Sequence, residues 1–378
     1  MNVLLEIGLE EIPARFLKPS LEDIKNYIVN ELKEQRIAFE SVITNGTPRR
    51  LILEIKGLAS KQENLDEVNI GPSKNVAFDA IGQPTKACLG FVKSQNVEVS
   101  DLDIIDTGKG EYIAVKKFLE GKNTEILLPE ILKGLILNLS FPKSMKWGTK
   151  KFKFARPLRW ILALVDNDII SFEVEGIKSG NITRGHRFFG QSEFSVESIE
   201  DYYKKIKENY VLINIEERKA SIVKQIEDRC VKNNEKVHIE DWLLDEVTNL
   251  VEYPYPLVGS FNTEFLEVPQ EVLIISMQVH QRYFPILDEN GKLLPKFVVV
   301  RNGIEESAHV VRGNETVIGA RLSDARFFYN EDLKKDMEEF VESLKTVVFQ
   351  KDLGTIYAKV ERTKLLAEYL THELKSDK

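Results

Sequence analysis

The first sixty residues constrain the fold most. Val3–Leu9, VLLEIGL, is a short aliphatic run that reads as a strand. Leu21, Ile24, Ile28 and Leu32 then recur at helical spacing, which predicts a helix over about Ser20–Gln35. Ser41–Thr44 and Leu51–Ile55 alternate as strands on either side of the turn sequence NGTPRR. A strand–helix–strand–strand opening implies an α+β domain.

The rest of the chain extends that class. Residues 57–85 are rich in Gly, Pro, Asn and Asp and read as a long loop or an insertion boundary. Strands near 102–107 and 111–117 flank Gly108-Lys109-Gly110, and a helix is expected near 124–138. Arg159–Leu164 and Ile169–Val174 look like a hairpin across VDND. From Ser195 to Glu252 the spacing turns helical, with Leu243, Val247, Leu250 and Val251 on one stripe. Pro269 suits the first turn of a helix running to about Met277. Ile286–Val300 reads as two strands around DENGK, and the end is helical from about His309. The expected class is α+β: α/β modules with mixed or antiparallel sheets, then a mainly helical C-terminal part. The expected modules are 1–60, 61–190, 191–305 and 306–378.

Composition bears on partners and setting. With 43% hydrophobic and 30% charged residues the chain is globular rather than disordered. Its formal charge of -8 means that any nucleic acid would have to meet a local basic patch. Cys88 and Cys230, the two cysteines, form no CxxC and read as reduced core thiols. No apolar run approaches the roughly 18 residues of a membrane span, and MNVLLEIGLEEIP lacks the basic start of a signal peptide. The expectation is a cytoplasmic protein.

Several chemistries have no sequence signature here. There is no GxxxxGK[ST] loop, no strand–GxGxxG–helix unit, no HExxH and no GxSxG. The five histidines never pair at metal-ligand spacing. PKSMKWG is superficially like the lysine loop of class I aminoacyl-tRNA synthetases, but no Rossmann pattern precedes it.

The strongest positive feature is Phe141–Trp160, FPKSMKWGTKKFKFARPLRW. It carries Lys143, Lys146, Lys150, Lys151, Lys153, Arg156 and Arg159 and no acid, with Trp147, Phe152, Phe154 and Trp160 interleaved. Cations neutralise phosphates and aromatic rings stack on unpaired bases. The competing reading is a solvated basic loop whose aromatics belong to the core. Arg184, His186 and Arg187 in TRGHRFFGQ, and Arg49 and Arg50 in NGTPRR, are further tRNA-contact candidates.

Two polar groups look structural. On a helix, Val310, Asn314, Val317, Ile318, Arg321 and Ala325 would share a face, with Asp324 within reach of Arg321. A buried arginine needs a partner, so this reads as a packing network. In SMQVHQRYFPI an extended backbone would put Gln278, His280 and Arg282 on one side. A two-residue Asn290-Gly291 turn would set Tyr283 against Val298 and His280 against Arg301. A three-residue turn would shift that register by one. A histidine beside an arginine is a poor base, because the cation lowers its pKa.

These segments together resemble the β subunit of the bacterial heterotetrameric glycyl-tRNA synthetases. LLEIGLEEIPAR, TPRRL, GPSKNVAFDAIGQPTKACLGF, FPKSMKWG, FARPLRW and TRGHRF occur in family order. LLDEVTNLVEYP, FLEVPQEVLIISMQVHQRYFP, GNETVIGARLSDARFFY and VVFQKDLGT follow. The match runs from Met1 to about Leu370, with Gly319 standing where an arginine-type residue is expected.

The resemblance implies a division of labour. A separate α subunit carries the class II site for glycine and ATP. The β subunit supports tRNA(Gly) binding and α2β2 assembly, with no catalytic residue, metal or cofactor of its own. Family β subunits continue into a helical HD-like region and an anticodon-binding domain, so an N-terminal fragment is expected. The alternatives are an editing-type hydrolase around His280, Arg301, Arg321 and Asp324, and a protein-interaction scaffold that touches no RNA.

Overall fold

The computed structural model describes residues 1–148, 151–230 and 235–374. In chain order the first elements are β1 (Val3–Leu9), α1 (Ala14–Glu34), β2 (Ser41–Thr47), β3 (Arg50–Lys56) and β4 (Leu65–Ser73). Then come α2 (Lys74–Ala77), α3 (Lys86–Gln95), β5 (Asp103–Asp106), β6 (Glu111–Leu119), α4 (Thr124–Asn138) and β7 (Leu158–Val165). Five short strands follow: β8 (Asp168–Ile169), β9 (Glu173–Val174), β10 (Ile177–Gly180), β11 (Ile182–Thr183) and β12 (Phe194–Ser195). Next are α5 (Ile199–Glu208), α6 (Ile215–Cys230), β13 (Lys236–Val237), α7 (Asp241–Thr248) and β14 (Pro254–Ser260). The remainder is α8 (Gln270–Ile275), β15 (Phe284–Leu287), β16 (Leu293–Asn302), α9 (Ala308–Asp332), α10 (Met337–Ser343), β17 (Val348–Gln350), β18 (Gly354–Thr355) and α11 (Ile356–Glu373). The class is α+β, with mixed and antiparallel sheets and a helical C-terminal region.

The chain divides into two compact units. The first comprises 1–224, 244–255 and 301–305, and the second 225–243, 256–300 and 306–378. The first is built on a seven-stranded sheet ordered β2-β3-β1-β7-β10-β9, with β8 on β7. β1 is antiparallel to both β3 and β7, and β10 is parallel to β7.

All seven residues of β1 are buried, because both of its faces are covered. Val3, Leu5, Ile7 and Leu9 pack with Leu17, Leu21, Ile24 and Ile28 of α1 and with Leu128, Leu132 and Leu135 of α4. Leu4 packs on the other face with Leu162, Leu164, Tyr202 and Ile206. Strand alternation puts Glu6 on that second face too. Burying this many aliphatic side chains is the main favourable term, about 1.5–3 kcal/mol for each large one.

Local chemistry explains where elements differ from the sequence reading. α1 begins six residues early, at Ala14 rather than Ser20; Pro13 precedes it and Pro19 is tolerated within it. Pro19 lies in the second turn, and Ser20 Oγ donates to the Phe16 carbonyl at 2.7 Å. Asn45 and Gly46 lie within β2, so the turn is at Pro48-Arg49, between the paired Thr47 and Arg50. Residues 65–77, expected as loop, form β4 and α2. β4 joins the sheet β4-β6-β5, and its pairing with β6 slips between Ile70 and Ser73. The Gly, Pro and Asn there masked the alternation of LDEVNI. Cys88 is buried with Ala77 and Ile113, and burial raises its thiol pKa. The Cys230 side chain lies outside the described residues.

The second unit carries most of the sheet β13-β15-β16-β14. Its core joins Leu273, Met277, Tyr283, Phe297, Ile318 and Leu322. The Tyr283 and Phe297 rings stack at 4.6 Å. Ser276–Gln281 is a π-helical turn, so His280 is not in a strand and does not face Arg301. Asp288 Oδ1 accepts from the amides of Asn290 and Lys292, which closes a three-residue loop. The loop sets Leu287 against Leu293, and an irregularity between Pro285 and Leu287 then shifts the register, so that Phe284, not Tyr283, pairs with Val298. Among the described residues no helix is long and apolar enough to cross a membrane.

Candidate nucleic-acid interface

The basic segment forms an irregular hairpin. Met145 and Phe154 exchange backbone hydrogen bonds of 2.8 and 3.2 Å. Phe154 is fully buried, and Phe141, Trp147 and Phe152 pack against the same core. The rings also pack on one another: Phe141–Phe154 at 4.6 Å, Phe152–Phe154 at 5.7 Å and Trp147–Phe152 at 5.9 Å. These aromatics anchor the hairpin, so they are not a free stacking surface.

Lys143, Lys146, Lys151, Lys153, Arg156 and Arg159 are exposed. Among the described residues no carboxylate pairs with Lys143, Lys146, Lys151 or Lys153. Among the described residues Arg156 bonds only its neighbouring Ala155 carbonyl, at 3.2 Å. Arg159 meets Glu10 at 3.3 Å. Lys150 lies outside the described residues.

Arg49 and Arg50 take the opposite position. Arg50 is fully buried on β3, and Arg49 is 7% exposed. The Arg50 guanidinium lies 3.1 Å from Glu252 and 3.8 Å from Glu6, and donates to the Arg184 carbonyl at 2.9 Å. Arg49 reaches Glu252 at 3.4 Å and the Gly185 carbonyl at 3.3 Å. Thr47 donates to Glu252 at 2.7 Å. Burial would lower the Arg50 pKa, but Glu252 and Glu6 hold it above its ordinary value. Burial leaves that of Arg49 below, against the upward pull of Glu252.

Glu6 is the second acid of this interior. It accepts from Trp160 Nε1 at 2.5 Å, from Thr183 Oγ1 at 2.8 Å and from the Tyr202 hydroxyl. Burial first, then the Glu6 charge, pushes the Tyr202 pKa well up. Trp160 has three guanidiniums over its ring, from Arg184, Arg50 and Arg49, at 5.1, 5.6 and 5.7 Å. Gly8 makes that possible, because a Cβ there would lie 2.0 Å from the Trp160 ring. Arg218, also fully buried, donates to the carbonyls of Thr248, Leu212, Ile213 and Gly46 at 2.5–3.1 Å. Burial lowers its pKa to about 10, with Glu252 opposing.

TRGHRFFGQ forms a closed loop. Gly185 N donates to the Gln191 carbonyl at 2.8 Å and Gly190 N to the His186 carbonyl at 2.9 Å. His186 N and Gln191 N donate to Asn209, at 2.9 and 2.8 Å. His186 is 1% exposed, and burial lowers its pKa while Asn302 and Glu252 pull it up. Arg184 pairs with Glu193 at 2.7 Å, and Arg187 with Glu10 at 2.6 Å. A cleft of about 310 Å³ is lined by Arg49, Arg184, His186, Arg187, Gln191 and Glu193, among others.

The structure separates the remaining polar candidates. Asn314 accepts from the Tyr283 hydroxyl at 2.5 Å and donates to the Val310 carbonyl at 2.7 Å. The buried stripe of α9 runs through Ile318 and Leu322, which leaves Val317, Arg321 and Asp324 exposed. Leu322, not Arg321, continues the i, i+4 row from Asn314. Gln278 is 6% exposed, His280 is exposed, and Arg282 ends the π-turn at φ +61°. Arg301 donates to the Glu305 carbonyl at 3.3 Å. Glu6, Glu252, Tyr202, Thr183 and Arg218 were not singled out from the sequence. The available signal was a lone acid inside an aliphatic run, VLLEIGL and NLVEYP.

A family model described as glycyl-tRNA synthetase beta subunit matches residues 3–378. The chain is similar to the glycine–tRNA ligase beta subunit of Trichlorobacter lovleyi, with 48% identity over 99% of this chain and 54% of that protein. It is 46% identical to the Clostridioides difficile protein of the same name over 97% of this chain and 53% of that one. For Bacillus subtilis the identity is 45%, over 100% and 55%. The chain spans about half the length of the curated relatives it matches.

Proposed function

The chain belongs to the glycyl-tRNA synthetase beta subunit family, and on that premise we propose that it is a tRNA-binding, non-catalytic part of a cytoplasmic glycine–tRNA ligase. Its partners are tRNA(Gly) and an α subunit that handles glycine and ATP within an α2β2 assembly. The observation that carries the RNA reading is the row of exposed cations Lys143, Lys146, Lys151, Lys153 and Arg156 on a hairpin whose aromatic residues are anchored inside. Each such cation can neutralise one phosphate and release its counterion.

The test is tRNA(Gly) binding to this chain, titrated between 50 and 200 mM salt. Combining Lys146→Glu, Lys151→Glu and Arg156→Glu should weaken binding and flatten the plot of log K against log salt by roughly 2–3 units of slope. An unchanged slope removes the hairpin from the interface, and no binding at any salt leaves only a protein scaffold. ATP–pyrophosphate exchange should be absent with this chain alone, and exchange by the chain itself would overturn the non-catalytic assignment.

A further inference from the structure

We infer that the Gly185–Gly190 loop and the cleft beside it form a site for one unpaired nucleotide, its base on Phe188 and its phosphate on the arginines. This deepens the RNA-binding reading above and rests on it. Phe188 is 77% exposed, although it sits in a loop that is otherwise fixed at both ends. That fixation is built into the sequence. A Cβ at Gly190 would lie 2.5 Å from the His186 amide nitrogen and 2.6 Å from the Asn209 carbonyl oxygen. A Cβ at Gly185 would lie 2.9 Å from both the Gly190 Cα and the Asn209 Cβ. Only glycine lets the two strands of the loop touch, so the backbone that carries Phe188 is fixed. His186, whose ring is 6.3 Å from that of Phe188, lines the cleft and accepts the Phe188 amide on Nδ1 at 3.3 Å.

The charges match a nucleotide better than an apolar ligand. Arg49, Arg184 and Arg187 all line the cleft. Arg49 is more than nine-tenths buried, and its Nε has no hydrogen-bond partner among the described residues. The Arg187–Glu10 and Arg184–Glu193 pairs are partly exposed, so each is worth little and a phosphate can replace the carboxylate. A phosphate also accepts bidentate hydrogen bonds from a guanidinium. A volume of about 310 Å³ lies at the small end of ligand sites, which suits one nucleotide rather than a duplex. The lysine hairpin lacks a free ring and so reads backbone charge alone; the Phe188 loop adds a stacking surface.

The experiment compares two RNAs, a blunt duplex and the same duplex with a short single-stranded overhang, binding to the 378-residue chain. Phe188→Ala should weaken overhang binding about tenfold, as loss of one base–aromatic stack does, and leave the blunt duplex unchanged. Phe188→Tyr should restore overhang binding and Phe188→Leu should not. An exposed ring carries little packing, so the melting temperature should hold in all three variants. Equal binding of both RNAs by wild type and Phe188→Ala overturns the nucleotide site while the lysine hairpin stands. Full retention in Phe188→Leu overturns base stacking on the ring as the basis of the site. Wild type that binds neither RNA overturns the parent reading as well.

Discussion

Arg50 and Lys151 carry the same charge in the same compact unit, yet one is sealed inside and the other faces water. The difference lies in what the rest of the chain brings to each. β1 supplies Glu6 and the segment after α7 supplies Glu252, both fully or almost fully buried, and Thr47, Trp160, Thr183 and Tyr202 complete their hydrogen bonds. Among the described residues no acid pairs with Lys143, Lys146, Lys151 or Lys153; only Arg159, at the end of the segment, meets one, Glu10. Residue type follows the same division. The interior uses arginines, whose planar forks satisfy several acceptors at once; the hairpin uses mostly lysines, which act as solvated point charges. A basic cluster is therefore a candidate interface only where its counter-charges are missing or exposed enough for a ligand to displace them.

The largest expected effect comes from removing the interior cation. Arg50→Ala leaves Glu6 and Glu252 buried with fewer partners and should cost about 3–5 kcal/mol of unfolding free energy. Combining Lys146→Glu, Lys151→Glu and Arg156→Glu should change stability by no more than about 0.5 kcal/mol per substitution, the usual range for exposed sites. Urea denaturation measures both. Comparable small losses in the two would erase the contrast and make the interior ion pairs dispensable.

A smaller effect sharpens which acid matters. Tyr202→Phe keeps the ring in the core beside Ile206 and Leu164 but withdraws the hydroxyl from Glu6. A buried carboxylate oxygen left without that donor should cost about 1–3 kcal/mol. If urea denaturation shows no loss, the hydroxyl contributes nothing net and Trp160 and Thr183 suffice for Glu6.

The two regions also differ in how far the chain alone announced them. The hairpin was legible, because seven cations without an acid in Phe141–Trp160 are a local property. So were β1, β3, α4 and the β5–β6 hairpin, whose periodicities are local too. The interior network was not. Glu252 reaches Thr47 across 205 positions and Glu6 reaches Tyr202 across 196, and no short-range pattern encodes such pairings. Arg49 and Arg50 therefore read as surface residues until the sheet closed over them. His280 and Arg301 misled for another reason. Their proposed pairing assumed an extended backbone, whereas Ser276–Gln281 coils into a π-turn. Phe188 escaped notice because nothing in the sequence says that a phenylalanine stays outside.

The smallest predicted effect concerns the loop that joins the two regions' chemistry. His186 is buried, and burial keeps its pKa below the ordinary value. In the unfolded chain it titrates near 6.5. As pH falls past that value the unfolded state takes up the proton before the folded state does, so stability declines with falling pH until the lower folded pKa is reached. His186→Asn keeps an acceptor for the Phe188 amide but cannot take up the proton. Between pH 7 and 5 the variant should therefore lose less stability than wild type, by at most about 1.4 kcal/mol per pH unit for one proton. Parallel stability curves would mean that His186 is protonated alike in both states. The Asn302 and Glu252 contributions would then balance burial, and the loop would belong electrostatically with the paired interior rather than with the open face.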